Sequence, residues 1–132
     1  VKDGVLQGYV LGSYSARRLK KETTGNAGGV HNLTIDPGEQ DLEAMIKGIA
    51  SGLLVTELIG FGVNTVTGDY SRGAAGLWIE NGEVVHPVEE VTVAGNLKDI
   101  FRGIVAVGSD IDPRRNIRCG SIRVDGLTIA GE

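Results

Sequence analysis

The chain has 132 residues, 41% hydrophobic and 23% charged, the size and balance of one globular domain able to close a core. A net charge of −4 argues against a broad nucleic-acid-binding surface, no apolar run approaches the ~18 residues that span a bilayer, and the single cysteine, Cys119, cannot close an internal disulfide, which points to a reducing, cytoplasmic setting. The 21 glycines are about twice the usual share, and their scatter excludes collagen-like and low-complexity chains in favour of short strands and tight turns.

The chain begins without an initiator Met, already in strand-like sequence, and reads as the tail of a longer polypeptide. Val5 to Leu11 is a predicted strand after a Lys2-Asp3-Gly4 turn, the second arm of a hairpin whose first arm lies upstream. Ser13 is placed to cap a short helix from Tyr14 to Lys21, and the basic run Arg17-Arg18-Leu19-Lys20-Lys21 reads as a solvated helix face beside Glu22. Gly25-Asn26-Ala27-Gly28-Gly29 is a loop lacking the flanking strand and helix of a phosphate cradle. His31 to Ile35 is a short strand leading into an Asp36-Pro37-Gly38 turn.

Asp41 to Ser51 carries the clearest helical pattern, with Leu42, Met45, Ile46 and Ile49 as one apolar stripe and Glu43 and Lys47 on the wet side. Leu53 to Ile59 reads as a strand buried on both faces except at Thr56 and Glu57. A carboxylate in such a run sits at an edge or has a partner.

The chain is organised around the stretch from Gly60 to His86. A glycine-punctuated loop carries Gly68-Asp69-Tyr70-Ser71-Arg72-Gly73, and its glycines imply sharp bending or close approach to a ligand or another chain. A hairpin follows whose Asn81-Gly82 turn suits type I′ geometry, since both residues tolerate positive φ. That turn would set Ile79 against Val84, Trp78 against Val85 and Leu77 against His86. Both hairpin faces then hold large apolar groups, as in a sheet covered on each side.

Val88 to Val93 is the next strand. Asn96 caps a helix with Asp99 at the third position and Leu97, Ile100, Phe101 and Ile104 as its buried stripe. Ile104 to Val107 continues as strand, Gly108 to Arg115 is a polar loop, and Asn116 to Val124 and Leu127 to Ala130 are the last strands, joined near Asp125-Gly126. The order is that of an α+β fold: a mainly antiparallel β-sheet, or a barrel-like sheet, with two to three short helices.

No complete catalytic constellation is visible. His31 and His86 are far apart with no metal-binding spacing, and His86 beside Pro87 reads as a packed histidine. Ser71 lacks a nucleophile-elbow frame. Cys119 has no activating base beside it and reads as a small buried residue, with a thiolate ligand as the other reading. The densest run of functional groups is Gly68 to Gly73. Its backbone could serve an extended peptide while Arg72 or Asp69 fixes an end, or Asp69 and Ser71 could simply bond the local turn while Arg72 pairs with a glutamate.

The phrases SYSARRL (Ser13 to Leu19), TTGNAGG (Thr23 to Gly29), the run from Gly52 to Val88 containing GDYSRGAAGLWIENG, and VTVAGNLKDIF (Val91 to Phe101) resemble the C-terminal portion of the TldD/PmbA family, on its PmbA (TldE) branch. The resemblance covers nearly the whole chain, in order, so residues 1–132 are expected to be the C-terminal domain, without the N-terminal half. In that family two related chains pair into a peptidase acting on unfolded or small peptides. The TldD-type chain carries a zinc-binding HExxxH helix and a cysteine ligand, and the PmbA-type chain helps form the peptide cavity. No HExxxH occurs here, as for a PmbA-type chain and equally for a piece lacking its upstream half; Cys119-Gly120 falls where the partner has its Cys-Gly pair.

The resemblance therefore implies a peptide-binding and assembly domain with Gly68, Asp69, Tyr70, Ser71, Arg72 and Gly73 as substrate-binding residues. It implies no metal or catalytic residue of its own, with Cys119 a ligand at most, and zinc in the catalytic partner chain. The expected partners are a TldD-like paralogous subunit or a second copy as a homodimer, and unfolded or extended peptides; nucleic acid and membrane are not expected. The alternative is a non-enzymatic protein-interaction regulator, such as a modulator of DNA gyrase.

Overall fold

A computed structural model describes residues 1–27 and 29–131. Gly28, part of the expected loop before Val30, lies outside the described residues. The chain divides into two compact units: Val1–Thr34 with Pro113–Arg118, and Ile35–Asp112 with Cys119–Glu132.

In the first unit, Asp3 (φ 51°) and Gly4 (φ 74°) form the expected tight turn, and Lys2 and Val5 bridge across it. The expected strand does not continue. Beyond Val5 no strand pairs with residues 6–11 among the described residues, and Leu6, Tyr9 and Val10 are exposed, whereas Leu11 is buried. Leu11 is held outside any strand: Thr24 N donates to its carbonyl at 3.0 Å and Thr24 Oγ1 accepts from its N–H at 2.8 Å.

Helix α1 spans Ser13–Arg18, one residue earlier and three shorter at its end than the pattern suggests. Its N-cap is Gly12, which makes no side-chain cap bond, and Ser15 Oγ donates to Gly12 O instead. The helix closes in a Schellman motif: Lys21 N donates to Ala16 O, and Lys20 N to Arg17 O. Lys20 holds the left-handed position at φ 54°, where glycine is usual and a side chain costs roughly 1 kcal/mol. Strand β1 (Leu33–Thr34) pairs in parallel with β6 (Ile117–Arg118), unlike the antiparallel pairs of the other strands among the described residues.

The second unit holds the main sheet. Helix α2 (Leu42–Lys47) begins where Asp41 accepts a bond from Ala44 N at 2.8 Å and ends at Gly48, earlier than expected. Met45 is buried, and Glu43 pairs with Lys47 at 2.7 Å on the wet side. Ile49 falls past the helix end, because Asn81 N and Gly82 N bond the carbonyls of Ala50 and Ile49. Three long strands follow: β2 (Ser51–Ile59), β3 (Asp69–Glu80) and β4 (Glu83–Asn96). Helix α3 (Leu97–Arg102) is capped by Asn96, whose side chain accepts from Lys98 N at 3.1 Å. Phe101 is 68% exposed, so the expected buried stripe of α3 is incomplete.

Strand β5 (Ile104–Val107) pairs with β7 (Ile122–Val124), and β8 (Thr128–Ala130) joins the main sheet. Its order is β2-β3-β4-β8, antiparallel throughout, so the sheet is open rather than barrel-like and the α+β class holds. The single strand expected from Asn116 to Val124 is split in two, because Gly120 packs against the Gly108 carbonyl and Asp110 binds Ser121.

The Asn81-Gly82 turn has both residues at positive φ (50° and 81°), and Ile79 faces Val84 as the turn dictates. One step on, a bulge shifts the register, so Trp78 faces His86 and Leu77 faces Pro87. His86 is exposed, with Nδ1 at 3.1 Å from Pro87 O, and not packed as expected. The hairpin is not covered on both faces either. Ile79 is fully buried, yet Val84 and Val85 are 46% and 53% exposed. Ala74, Val91 and Val93 form the buried centre, with Leu53, Tyr70, Val88, Leu127 and Ile129 packed around it.

Candidate functional site

From Asp69 to Gly73 the run is strand, not loop, and Gly68 (φ 84°) turns the chain into it. Asp69 to Gly73 pair with Asn96 to Thr92 on one side. On the other side Asn64 N donates to Asp69 O at 2.8 Å, Ser71 N to Gly62 O at 2.7 Å, and Gly73 pairs with Ile59. Gly68 is held as well, its N–H on Asn64 O and its carbonyl accepting from Leu97 N. The main chain expected to lie free is thus committed within the sheet. The glycines explain why: a Cβ on Gly62 would overlap the Ser71 carbonyl, and one on Gly76 would overlap Leu54 O. The close neighbour implied by the sequence is the chain itself.

The side chains divide by direction. Thr67 Oγ1 donates to Asp69 Oδ2 at 2.6 Å, which ties the Asp69 carboxylate to the local turn. Ser71 is exposed. Tyr70 is half-buried and lines a cavity of about 820 Å³ within the second unit, together with Leu42, Ile46, Leu54, Leu58 and Ile100. That volume lies in the range of ligand pockets and its lining is chiefly apolar.

Arg72 reaches toward β2, where its Nη2 donates to Leu58 O at 3.0 Å. Among the described residues it pairs with no glutamate, and its buried Nε has no partner. A guanidinium half removed from water and without an ion pair among the described residues is suited to receive a carboxylate.

Beyond Arg72 lies the open edge of the sheet. Among the described residues β2 has a strand partner on one side only, over nine residues from Ser51 to Ile59. Glu57, the carboxylate the sequence placed either at an edge or with a partner, is exposed on this edge strand. The strand is not buried on both faces as expected: Val55, Leu58 and Ile59 are exposed, and Phe61 just past its end is fully so. An unpaired edge offers N–H and C=O groups in a row, the template onto which an extended segment adds. This edge is the feature that sequence reasoning missed. Only its Glu57 hinted at it.

Cys119 is half-buried, with its Sγ donating to Gly120 O at 3.1 Å. Burial, then the Asp110 charge, push its thiol pKa up, away from the thiolate a metal needs. Among the described residues no three His, Cys, Asp or Glu side chains converge. Zinc requires three or four such ligands, so the described residues alone do not supply a set that fits it.

Asp110 serves the loop instead, accepting from Ser121 Oγ at 2.6 Å and Ser121 N at 2.9 Å. These bonds, the side-chain one foremost, lower its pKa. A lowered folded-state pKa contributes stability above the unfolded value, which is lost as pH falls through the folded value. Thermal melts from neutral pH downward should therefore show Asp110→Asn less stable at pH 7, with the gap to the parent closing below about pH 4. A gap constant with pH would mean that the bonds to Ser121 do not favour the ionised carboxylate.

Residues 1–131 match the family described as the PmbA/TldA metallopeptidase C-terminal domain. The chain belongs to the PmbA/TldD family. Metalloprotease PmbA of Escherichia coli O157:H7 is 54% identical over 132 residues, and a Metalloprotease PmbA homolog of Haemophilus influenzae 48%. The match covers 100% and 99% of this chain but 29% of each relative, so the chain spans less than a third of their length. Among solved structures, a protein of Bacteroides thetaiotaomicron bearing the name of a DNA gyrase modulator superposes with a TM-score of 0.88 at 34% identity, over 98% of this chain and 29% of that one. TldE from Thermococcus kodakarensis gives 0.81 at 29% identity, over 97% and 32%. The open α+β sheet is thus a PmbA/TldD-family fold. No helix among its described residues is long and apolar enough to cross a membrane.

Proposed function

We propose that this chain is the C-terminal peptide-binding and assembly domain of a PmbA (TldE)-type subunit in a cytoplasmic metallopeptidase. It works beside a TldD-like paralogue, or a second copy of itself, with the zinc and its ligands supplied outside this chain. The observation that carries the reading is the open β2 edge with the Arg72 guanidinium bonded to Leu58 O upon it. Main-chain pairing ignores side-chain identity, which suits an enzyme acting on many extended peptides. Arg72 would take a peptide carboxylate, and Tyr70 with the apolar cavity would take a side chain. Asp69, Ser71 and Gly73 belong to β3, which meets β2 from Gly73 onward, and Gly68 immediately precedes it.

Hydrogen–deuterium exchange of the full-length protein, with and without an unstructured peptide, tests this. The amides of Ser51–Ile59 should gain protection on binding. Protection elsewhere, with β2 unchanged, would move the peptide off this edge.

The name of the Bacteroides thetaiotaomicron neighbour supports a second reading, a non-enzymatic modulator of DNA gyrase. Peptide cleavage by the purified full-length protein mixed with its paralogue, against each alone, separates the two. Cleavage only in the mixture favours the subunit, and none in any combination favours the regulator.

A further inference from the structure

The two units of the chain carry opposite charge. Val1–Thr34 with Pro113–Arg118 holds eight Lys and Arg against Asp3 and Glu22, while the other unit holds five against fifteen acidic residues. The net charge of −4 hides this separation.

The basic charge is densest around the C-terminus of α1. Arg17, Arg18, Lys20 and Lys21 are all exposed, and none makes an ion pair among the described residues. Two exposed rings accompany them. Arg18 lies 6.0 Å from the Tyr14 ring centroid and also bonds its hydroxyl, while Lys21 lies 5.5 Å from the Tyr9 centroid. Such contacts hold long cations against an aromatic face while leaving their outer side open to an anion. A short helix is stabilised by cations at its C-terminus, which accounts for Arg17 and Arg18. For Lys20, directly after the C-cap, that gain is set against backbone strain. That residue occupies a left-handed position that glycine would fill without strain. Strain retained in an exposed cation points to a use for the charge.

We propose that this basic, tyrosine-lined surface around α1 docks acidic stretches of extended peptides. The inference rests on the peptide reading above and adds a substrate class to it. A short acidic segment fits better than a nucleic acid. Such a segment lies wholly within reach of these cations, about a Debye length of ~8 Å, whereas a long phosphate chain outruns the patch.

Fluorescence anisotropy with the full-length protein tests it, using labelled peptides of equal length that are Glu-rich, uncharged or Lys-rich, and an oligothymidylate. The Glu-rich peptide should bind tightest, and less well at about 300 mM salt than at about 50 mM. Lys20→Gly relieves the strained backbone, so it should raise the melting temperature while weakening Glu-rich peptide binding about two- to fivefold. A purely structural role for Lys20 would leave binding unchanged. Equal affinity for Glu-rich and uncharged peptides would overturn the acidic preference and leave the peptide reading standing. Binding of no peptide would remove both, and tighter binding of the oligothymidylate would make the surface a nucleic-acid site.

Discussion

Gly76→Val should destabilise the protein by about 3 kcal/mol or more. A Cβ there would overlap Leu54 O, with the Leu54 carbonyl carbon at 2.9 Å and Val55 Cα at 3.1 Å. All three are backbone atoms of the neighbouring strand, beside the bulge at Thr56, and none can rotate aside as a side chain would. The damage falls at the buried centre, since Gly76 adjoins Ala74 and pairs with Val88. Gly73→Ala is the control. Its added Cβ would meet Ile59 Cβ at 3.4 Å, ordinary contact, so the change should cost less than about 1 kcal/mol. Urea unfolding followed by circular dichroism measures both. Equal midpoints would mean that β2 and β3 do not approach as described.

Arg72→Ala should lower kcat/KM of the paired full-length complex on peptides by about tenfold or more, the worth of a charge-assisted bond. Stability should change by only about 1 kcal/mol, because one bond to Leu58 O is lost and a buried Nε without a partner is removed with it. Arg72→Lys separates charge from shape. It keeps the cation but not the planar fork, so an intermediate rate is expected if a peptide carboxylate is gripped at two points. Unchanged turnover in Arg72→Ala, with the fold intact, would remove this residue from the site.

Both predictions fall where sequence and structure part. The dense glycines from Gly60 to Gly76 read as a loop, because glycine is rare inside strands. In the folded chain, Gly62 and Gly76 are where one backbone comes too near another for any side chain. The partner atoms, on Ser71 and Leu54, are distant in sequence for Gly76 and reached through a turn for Gly62. No local pattern could announce them. Arg72 stood out as a functional group in the sequence, but its place beside an open edge depends on β2 lying outermost.

What the sequence determined by itself is what short-range chemistry controls. Asn81-Gly82 made the turn because both residues accept positive φ, and Asp41 and Asn96 capped their helices because a carboxylate or amide oxygen reaches nearby N–H groups. Apolar periodicity gave the existence of α2, a continuous apolar run that of β2, and element order with its hairpins the antiparallel class. Tertiary structure alone decided the bulges that shift the register after Ile79, the open edge of β2, and the joining of Val1–Thr34 with Pro113–Arg118 in one unit. These depend on which distant strands meet, and that choice is made by the packing of the whole chain, not by any segment's own preference.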